Sequence, residues 1–244
     1  MSIAQLHPQL YMLTLGTFQS YLWVDDGSAT LIDTGAPGSG PAIADALRHI
    51  GLDTTAVARL VLTHFHDDHV GSAAEVVRWG SMTVVAHAAD APVIRGEQAG
   101  QPPNFTDEER VLHAQVAAGL QKAPPVRVDV TVVDGDIVEF GGGATVISTP
   151  GHTDGSIALY LQRHRILFTG DVAAQHEGRV IPGVFNIDRE KAFESFCRLA
   201  ELDADIVCFG HGAPLLKEGK LRLREVAARL DRPSSASSLQ RVEQ

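Results

Sequence analysis

The chain has 244 residues, 44% of them hydrophobic and 20% charged, which suits a soluble globular protein and excludes fibrous and low-complexity classes. A formal net charge of −10 without any basic tract argues against a surface that neutralises a phosphate backbone, so nucleic acid is not an expected partner. No stretch approaches the roughly 20 apolar residues that span a bilayer, and Met1 to Gln5 lack a charged or long apolar leader, so a cytoplasmic protein without a membrane partner is expected.

Leu10 to Leu13, Ser20 to Val24 and Ala29 to Ile32 read as strands, the last two joined by the turn Asp25-Asp26-Gly27-Ser28. Asp33-Thr34-Gly35 ends the third. Between Pro41 and Ile50, apolar Ile43, Ala46, Leu47 and Ile50 predict an amphipathic helix closed by Gly51. Arg59 to Leu62 has the length and aliphatic content of a short buried strand. It runs into Thr63-His64-Phe65-His66-Asp67-Asp68-His69-Val70-Gly71. A helix from about Ser72 to Trp79 and a strand from Met82 to Ala86 follow.

Residues 87–125 differ in character. A Gly/Pro-rich stretch from Gly96 to Pro103 precedes a helix whose start is marked by Thr106 and Glu109, the spacing of a capping box. Pro124-Pro125 ends the segment. It reads as an insertion between sheet strands. Strands return at Val130–Val133, Ile137–Phe140, Ala144–Ser148, Ile157–Leu161 and Arg165–Thr169, with Asp134-Gly135-Asp136 and Gly141-Gly142-Gly143 as hairpin turns. A helix from Arg189 to Ala200, a strand from Ile206 to Phe209 and a helix from Lys217 to Leu230 complete the pattern. Cys197 and Cys208 make no disulfide framework and read as small buried residues. One domain over 1–232 with a flexible tail over 233–244 is expected.

Two halves echo each other. Leu31 to Gly35, a helix and Leu60 to His64 form one strand–helix–strand unit; Leu167 to Asp171, a helix and Ile206 to His211 form the other. This layout is what an α/β (α+β) fold, a four-layer αββα sandwich of two similar halves, would show.

Residues 64–69 hold three histidines and two aspartates at a strand end, where open α/β sheets place ligand sites. Imidazole and carboxylate together suit zinc, iron or manganese. His64 and His66 alternate and so share one side of an extended segment; Asp68 and His69 turn toward a second centre. His152, Asp171 and His211 each follow a further strand and each neighbour a glycine, which permits tight backbone turns beside a site.

His64-x-His66-x-Asp68-His69, with His152, Asp171 and His211 in that order, resembles the signature of the metallo-β-lactamase superfamily. The resemblance implies that His64, His66 and His152 hold one metal, that Asp68, His69 and His211 hold a second, and that Asp171 bridges them. It implies two divalent ions per chain, zinc before iron or manganese, and a bridging hydroxide that attacks a substrate carbonyl. Asp68 is the expected catalytic residue, orienting that water and helping to protonate the leaving group. The resemblance also implies that Asp33 supports a ligand or its loop, and that the insertion over 87–125 overhangs the site as a candidate cap. His176, five residues after Asp171, is a candidate substrate contact. Asp67 occupies a variable position of the motif and is expected at the surface. His7, His49, His87, His113 and His164 fall outside the pattern.

The branches of the superfamily differ in ways these residues address. Class B β-lactamases lack an aspartate corresponding to Asp171. Glyoxalase II enzymes add a C-terminal helical domain, whereas only residues 212–244 follow His211, so a glutathione thioester is not the expected substrate. Acyl-homoserine lactonases carry a Tyr where this chain has Ala174. The implied function is a dinuclear hydrolase of a small ester, lactone or thioester, with a small-molecule substrate as its partner. A mononuclear iron persulfide dioxygenase is the alternative from a different class, and a non-catalytic binding module is the third reading.

Overall fold

A computed structural model describes residues 2–230, so the expected tail over 233–244 lies outside the described residues. The chain opens as an antiparallel meander of β1 (Ser2–His7), β2 (Leu10–Leu15), β3 (Phe18–Asp25) and β4 (Ser28–Ile32). Helix α1 (Gly40–His49) then crosses to β5 (Val57–Val61), which lies parallel to β4. Two short helices, α2 (Asp67–Val70) and α3 (Ala73–Val76), lead to β6 (Thr83–His87). The insertion carries α4 (Ala91–Ile94) and α5 (Asp107–Val116) before β7 (Val130–Val132), and β5, β6 and β7 are parallel. These seven strands form one sheet in sequence order.

The second sheet contains β8 (Ile137–Val138), β9 (Ala144–Ser148), β10 (Ile157–Leu161) and β11 (Ile166–Phe168), each antiparallel to the next. A separate hairpin, β12 (Ala173–His176) and β13 (Arg179–Pro182), precedes α6 (Arg189–Ala200). Strand β14 (Ile206–Cys208) then joins the sheet parallel to β11, and α7 (Gly219–Leu230) closes the described chain.

Period-two alternation builds the layers. In β10, Ile157, Leu159 and Leu161 enter the core shared by the two sheets, while Ala158 and Tyr160 enter the core under α6 and α7. Leu31 and Ile32, Leu60 and Val61, and Val84 and Val85 split the same way between the helix-side core and the inter-sheet core. Strands buried on both faces read as continuous apolar runs, which is why they were legible. On α1, Ile43, Ala46 and Leu47 are buried at i, i+3 and i+4; on α6, Ala192, Phe196, Leu199 and Ala200 are. The order is helix, sheet, sheet, helix, the expected αββα sandwich.

Two local expectations are corrected, and two features are added to them. The turn Asp134-Gly135-Asp136 is no hairpin: it hands the chain from β7 in the first sheet to β8 in the second. Asp136 there caps Val133 N at 2.8 Å and Gly135 adopts φ +84°, the local chemistry of any tight turn. The helix expected over Ser72–Trp79 is regular only over Ala73–Val76, because the chain has just left α2 at Gly71. Strand β1 was not anticipated; it is a half-exposed edge strand without clean alternation. Nor was the hairpin β12–β13, whose sequence is polar at its tip.

Strands β4, β5, β9, β11 and β14 all end at one edge of the sandwich, and Asp33, His64, His152, Asp171 and His211 lie just beyond those ends. Hydrogen bonds from Ile157 N to Thr63 O and from Gln19 N to Gly210 O, both 2.9 Å, tie the sheets together there.

Phe196 is fully buried between α6 and the second sheet. Phe196→Ala is expected to lower unfolding free energy by about 3–5 kcal/mol in denaturant titration. Val111→Ala, at a side chain 61% exposed on α5, is expected to change it by less than about 0.5 kcal/mol.

Candidate metal centre

All seven histidines and aspartates expected at the site come together. His64, His66 and His152 offer nitrogens within 4.8 Å of one another; His64, His69 and Asp171 form a second such group, and Asp68, His69 and His211 a third. Asp171 stands at the centre. Its Oδ2 lies 3.0 Å from His211 Nε2, 3.8 Å from His152 Nε2 and 4.0 Å from His64 Nε2. Its Oδ1 lies 3.2 Å from His69 Nε2, at ion-pair distance but without hydrogen-bond alignment. Asp68 Oδ2 is 3.3 Å from His211 Nε2.

The rings are held from behind. His69 Nδ1 bonds Asp33 Oδ2 at 2.8 Å, and His211 Nδ1 meets the Thr17 carbonyl at 3.1 Å. His152 Nδ1 is 3.3 Å from Asn186 Oδ1, and His64 Nδ1 is 3.0 Å from Thr63 Oγ1. Thr63 Oγ1 donates its own proton to Asp33 Oδ2 at 2.7 Å, so it accepts from His64 Nδ1–H. In each of these four rings the network assigns the proton to Nδ1 and directs Nε2 inward. His66 is turned the other way, with Nδ1 2.9 Å from His152 Nε2. Asp33 thus contacts His69 directly and His64 through Thr63. It does so from the left-handed region, φ +57°, a conformation that places its carboxylate beneath residues 63–69.

Electrostatically the cluster has two halves. Burial, reinforced by neighbouring imidazoles, holds His64 well below the ordinary histidine range and lowers His66 to about 3; burial also lowers His152. These three are neutral, with lone pairs to offer. Burial opposes charge on His69 and His211 as well, but Asp171 with Asp33 pushes His69 well up, and Asp171 with Asp68 pushes His211 up to about 10. Burial would raise Asp68, yet His69 and His211 hold it down to about 2. This half is rich in carboxylate and calls for positive charge.

The donors fit a divalent cation. Buried Nε2 atoms of His64 and His69 and Oδ1 of Asp171 have no hydrogen-bond partner among the described residues. Polar atoms left so in a dry place are costly unless a ligand satisfies them. Cys208 is no competing thiolate, since burial drives its pKa far up.

Several contributors were not identified from sequence. Thr17 acts through its carbonyl, so its side chain carries no signal. Asn186 lies in an irregular loop that no pattern marks. Asp90 reads as an ordinary helix N-cap, but its carboxylate is buried, and that burial pushes it up to about 6. Asp67, expected at the surface, is half-buried and accepts from Ala123 N at 2.8 Å, because the end of the insertion docks on the motif. The insertion also meets the site where Gly100 packs on the Phe65 ring and where Asn104 N bonds Asn186 O at 2.8 Å. His113 sits in the insertion between Phe105 and Phe185, with centroids 4.7 and 5.1 Å away. His176 is exposed at the tip of the β12–β13 hairpin, paired with Arg179 and outside the cluster.

A family model described as the metallo-beta-lactamase superfamily matches residues 15–211. The chain is 28% identical over 222 residues to the probable metallo-hydrolase YflN of Bacillus subtilis (strain 168), with 83% of each chain covered. It is 28% identical over 208 residues to a hydroxyacylglutathione hydrolase of Serratia proteamaculans (strain 568), covering 82% of this chain and 65% of that protein. A metallo-beta-lactamase family protein from Thermus thermophilus superposes with a TM-score of 0.68 at 24% identity, over 93% of this chain and 80% of that one. At that identity the likeness shows the fold alone.

A Cβ at Gly210 would lie 2.0 Å from Asp171 Oδ1 and 2.7 Å from His69 Cε1. Gly210→Ala is therefore expected to weaken metal binding at least about 10-fold in competition with a chromophoric chelator. Gly27→Ala, in the open turn between β3 and β4, is expected to leave that affinity unchanged.

Proposed function

The chain belongs to the metallo-beta-lactamase superfamily and is a metallo-hydrolase of it, and from that premise we propose a dinuclear enzyme that hydrolyses a small ester, lactone or thioester. The observation that carries the reading is the central carboxylate of Asp171, within 4.0 Å of inward nitrogens from both halves. His64, His66 and His152 would hold one ion, Asp68, His69 and His211 the other, and Asp171 both. Imidazole and carboxylate donors without thiolate suit zinc, with iron or manganese as substitutes. Two such cations, when bound, lower the pKa of a shared water and polarise a substrate carbonyl oxygen.

The remaining work falls to the chain. Asp33, Thr63, Thr17 and Asn186 hold four imidazoles with Nε2 directed inward, so no reorganisation is needed when substrate arrives. Asp68, held ionised by His69 and His211, orients the water and takes up its proton at a carboxylate oxygen. The same group then returns the proton to the leaving alcohol or thiol.

Tyrosine hydroxyls play no part. Tyr21 donates to Phe209 O, Tyr160 donates to Asp203 O, and Tyr11 lies beside Gln5 on the meander. With Ala174 after Asp171, carbonyl polarisation rests on the cations. Half-buried Phe18, Phe65, Phe105 and Phe185 flank the site or its loops, which favours an acyl group with apolar character. The hydroxyacylglutathione hydrolases among the relatives support a thioester as one member of that class.

Protein stripped by chelator is expected to lose hydrolysis of short acyl esters, lactones and thioesters, and to regain it on adding Zn²⁺. Asp171→Ala is expected to lose at least one ion and most activity. Full activity with both ions retained in that variant would overturn the proposal. His113→Ala is expected to leave metal content unchanged, because its ring contacts Phe105 and Phe185 rather than the cluster.

A further inference from the structure

The surroundings of Asp90 are unusual for an aspartate. It is 2% exposed and occupies the N-cap position of α4 without making a side-chain cap bond. Its carboxylate is spent elsewhere. Oδ2 accepts from Phe65 N at 3.1 Å and from Thr153 Oγ1 at 2.8 Å, and Oδ1 accepts from Gly155 N at 2.8 Å. All three donors are neutral, so a carboxylate is buried without a cationic partner, an arrangement that costs stability unless the hydrogen bonds compensate.

The donors come from two loops. Phe65 lies between His64 and His66, so fixing its N–H orients the peptides that carry both rings. Thr153 follows His152 directly. Its hydroxyl also lies 2.8 Å from Ser156 Oγ, and Ser156 Oγ accepts from Thr153 N at 3.1 Å, which closes the 153–156 loop on itself. The approach is close: a Cβ at Gly155 would lie 2.5 Å from Asp90 N and Oδ1. The other half of the centre is held by different groups, His69 by Asp33 and His211 by Thr17.

We propose that Asp90 is a positioning residue that sets the distance between the His64/His66 segment and the His152 loop, and so governs the three-histidine half of the centre selectively. This rests on the two-metal reading. Asparagine cannot substitute, because its amide nitrogen would face a donor that now meets a carboxylate oxygen. Removing the Thr153 hydroxyl takes away one of the three bonds without disturbing the buried carboxylate itself.

The test is titration of the metal-free full chain with Co²⁺, followed by visible absorption, with thermal unfolding as the control for folding. Wild type is expected to take up about two equivalents. The step belonging to the three-histidine half is the one that survives in His211→Ala. In Asp90→Asn that step is expected to weaken at least about 10-fold while the other stays at its wild-type affinity. Thr153→Val is expected to weaken the same step less, and Thr153→Ser to restore it; these decide the matter if Asp90→Asn does not fold. Folded variants with both steps as in wild type would overturn the proposal, as would equal weakening of both, the mark of a general loss of packing. A wild-type chain that takes up no Co²⁺ would overturn the two-metal reading and this inference together.

Discussion

Burying carboxylates and imidazoles side by side is the constraint from which the rest of the structure follows. Asp33, His64, His69 and His152 are buried, and half-buried Asp68, Asp171 and His211 stand against them. Such groups are stable only when each polar atom finds a partner. Asp33 meets this requirement from below by taking His69 Nδ1, Thr63 N and Thr63 Oγ1. What it leaves unmet, Nε2 of His64 and His69 and Oδ1 of Asp171, all faces one small volume. The support and the demand for a cation are two consequences of the same burial.

The sandwich makes that burial reachable. Parallel pairs β4–β5 and β11–β14 deliver Asp33, His64, Asp171 and His211 to one edge, one pair from each sheet. The sheets are locked at that edge by Ile157 N to Thr63 O and by Tyr21 Oη to Phe209 O. Neither half alone presents a complete set: residues 64–69 come from the first sheet, His152, Asp171 and His211 from the second. The insertion is tied to the motif at several points. It is fixed at its start through Asp90, in its middle through Gly100 on Phe65 and Asn104 on Asn186, and at its end through Asp67.

Much of this was legible because the relevant signals are short-range. Doubly buried strands are apolar runs, α1 and α6 repeat apolar residues with helical spacing, and His64-x-His66-x-Asp68-His69 is dense enough to stand out. Thr106 and Glu109 form both bonds of the capping box their spacing implied. What escaped notice depends on distance along the chain. Thr17 reaches His211 through a carbonyl, Asn186 reaches His152 from an irregular loop, and Asp90 looks like any N-cap until Phe65 and Thr153 are seen beside it. The turn at Asp134 has the same local chemistry whether the next strand joins its own sheet or the other. Only packing of β8 against β9 decides that.

A dinuclear hydrolase needs metal in both halves of the cluster at once. The most direct measurement is elemental analysis of protein purified without added metal. About two ions per chain, zinc or a mixture of zinc with iron or manganese, is the result expected of a dinuclear hydrolase. A single iron, with the second site still empty after zinc is supplied, would contradict it and point instead to the mononuclear oxidoreductases built on this fold.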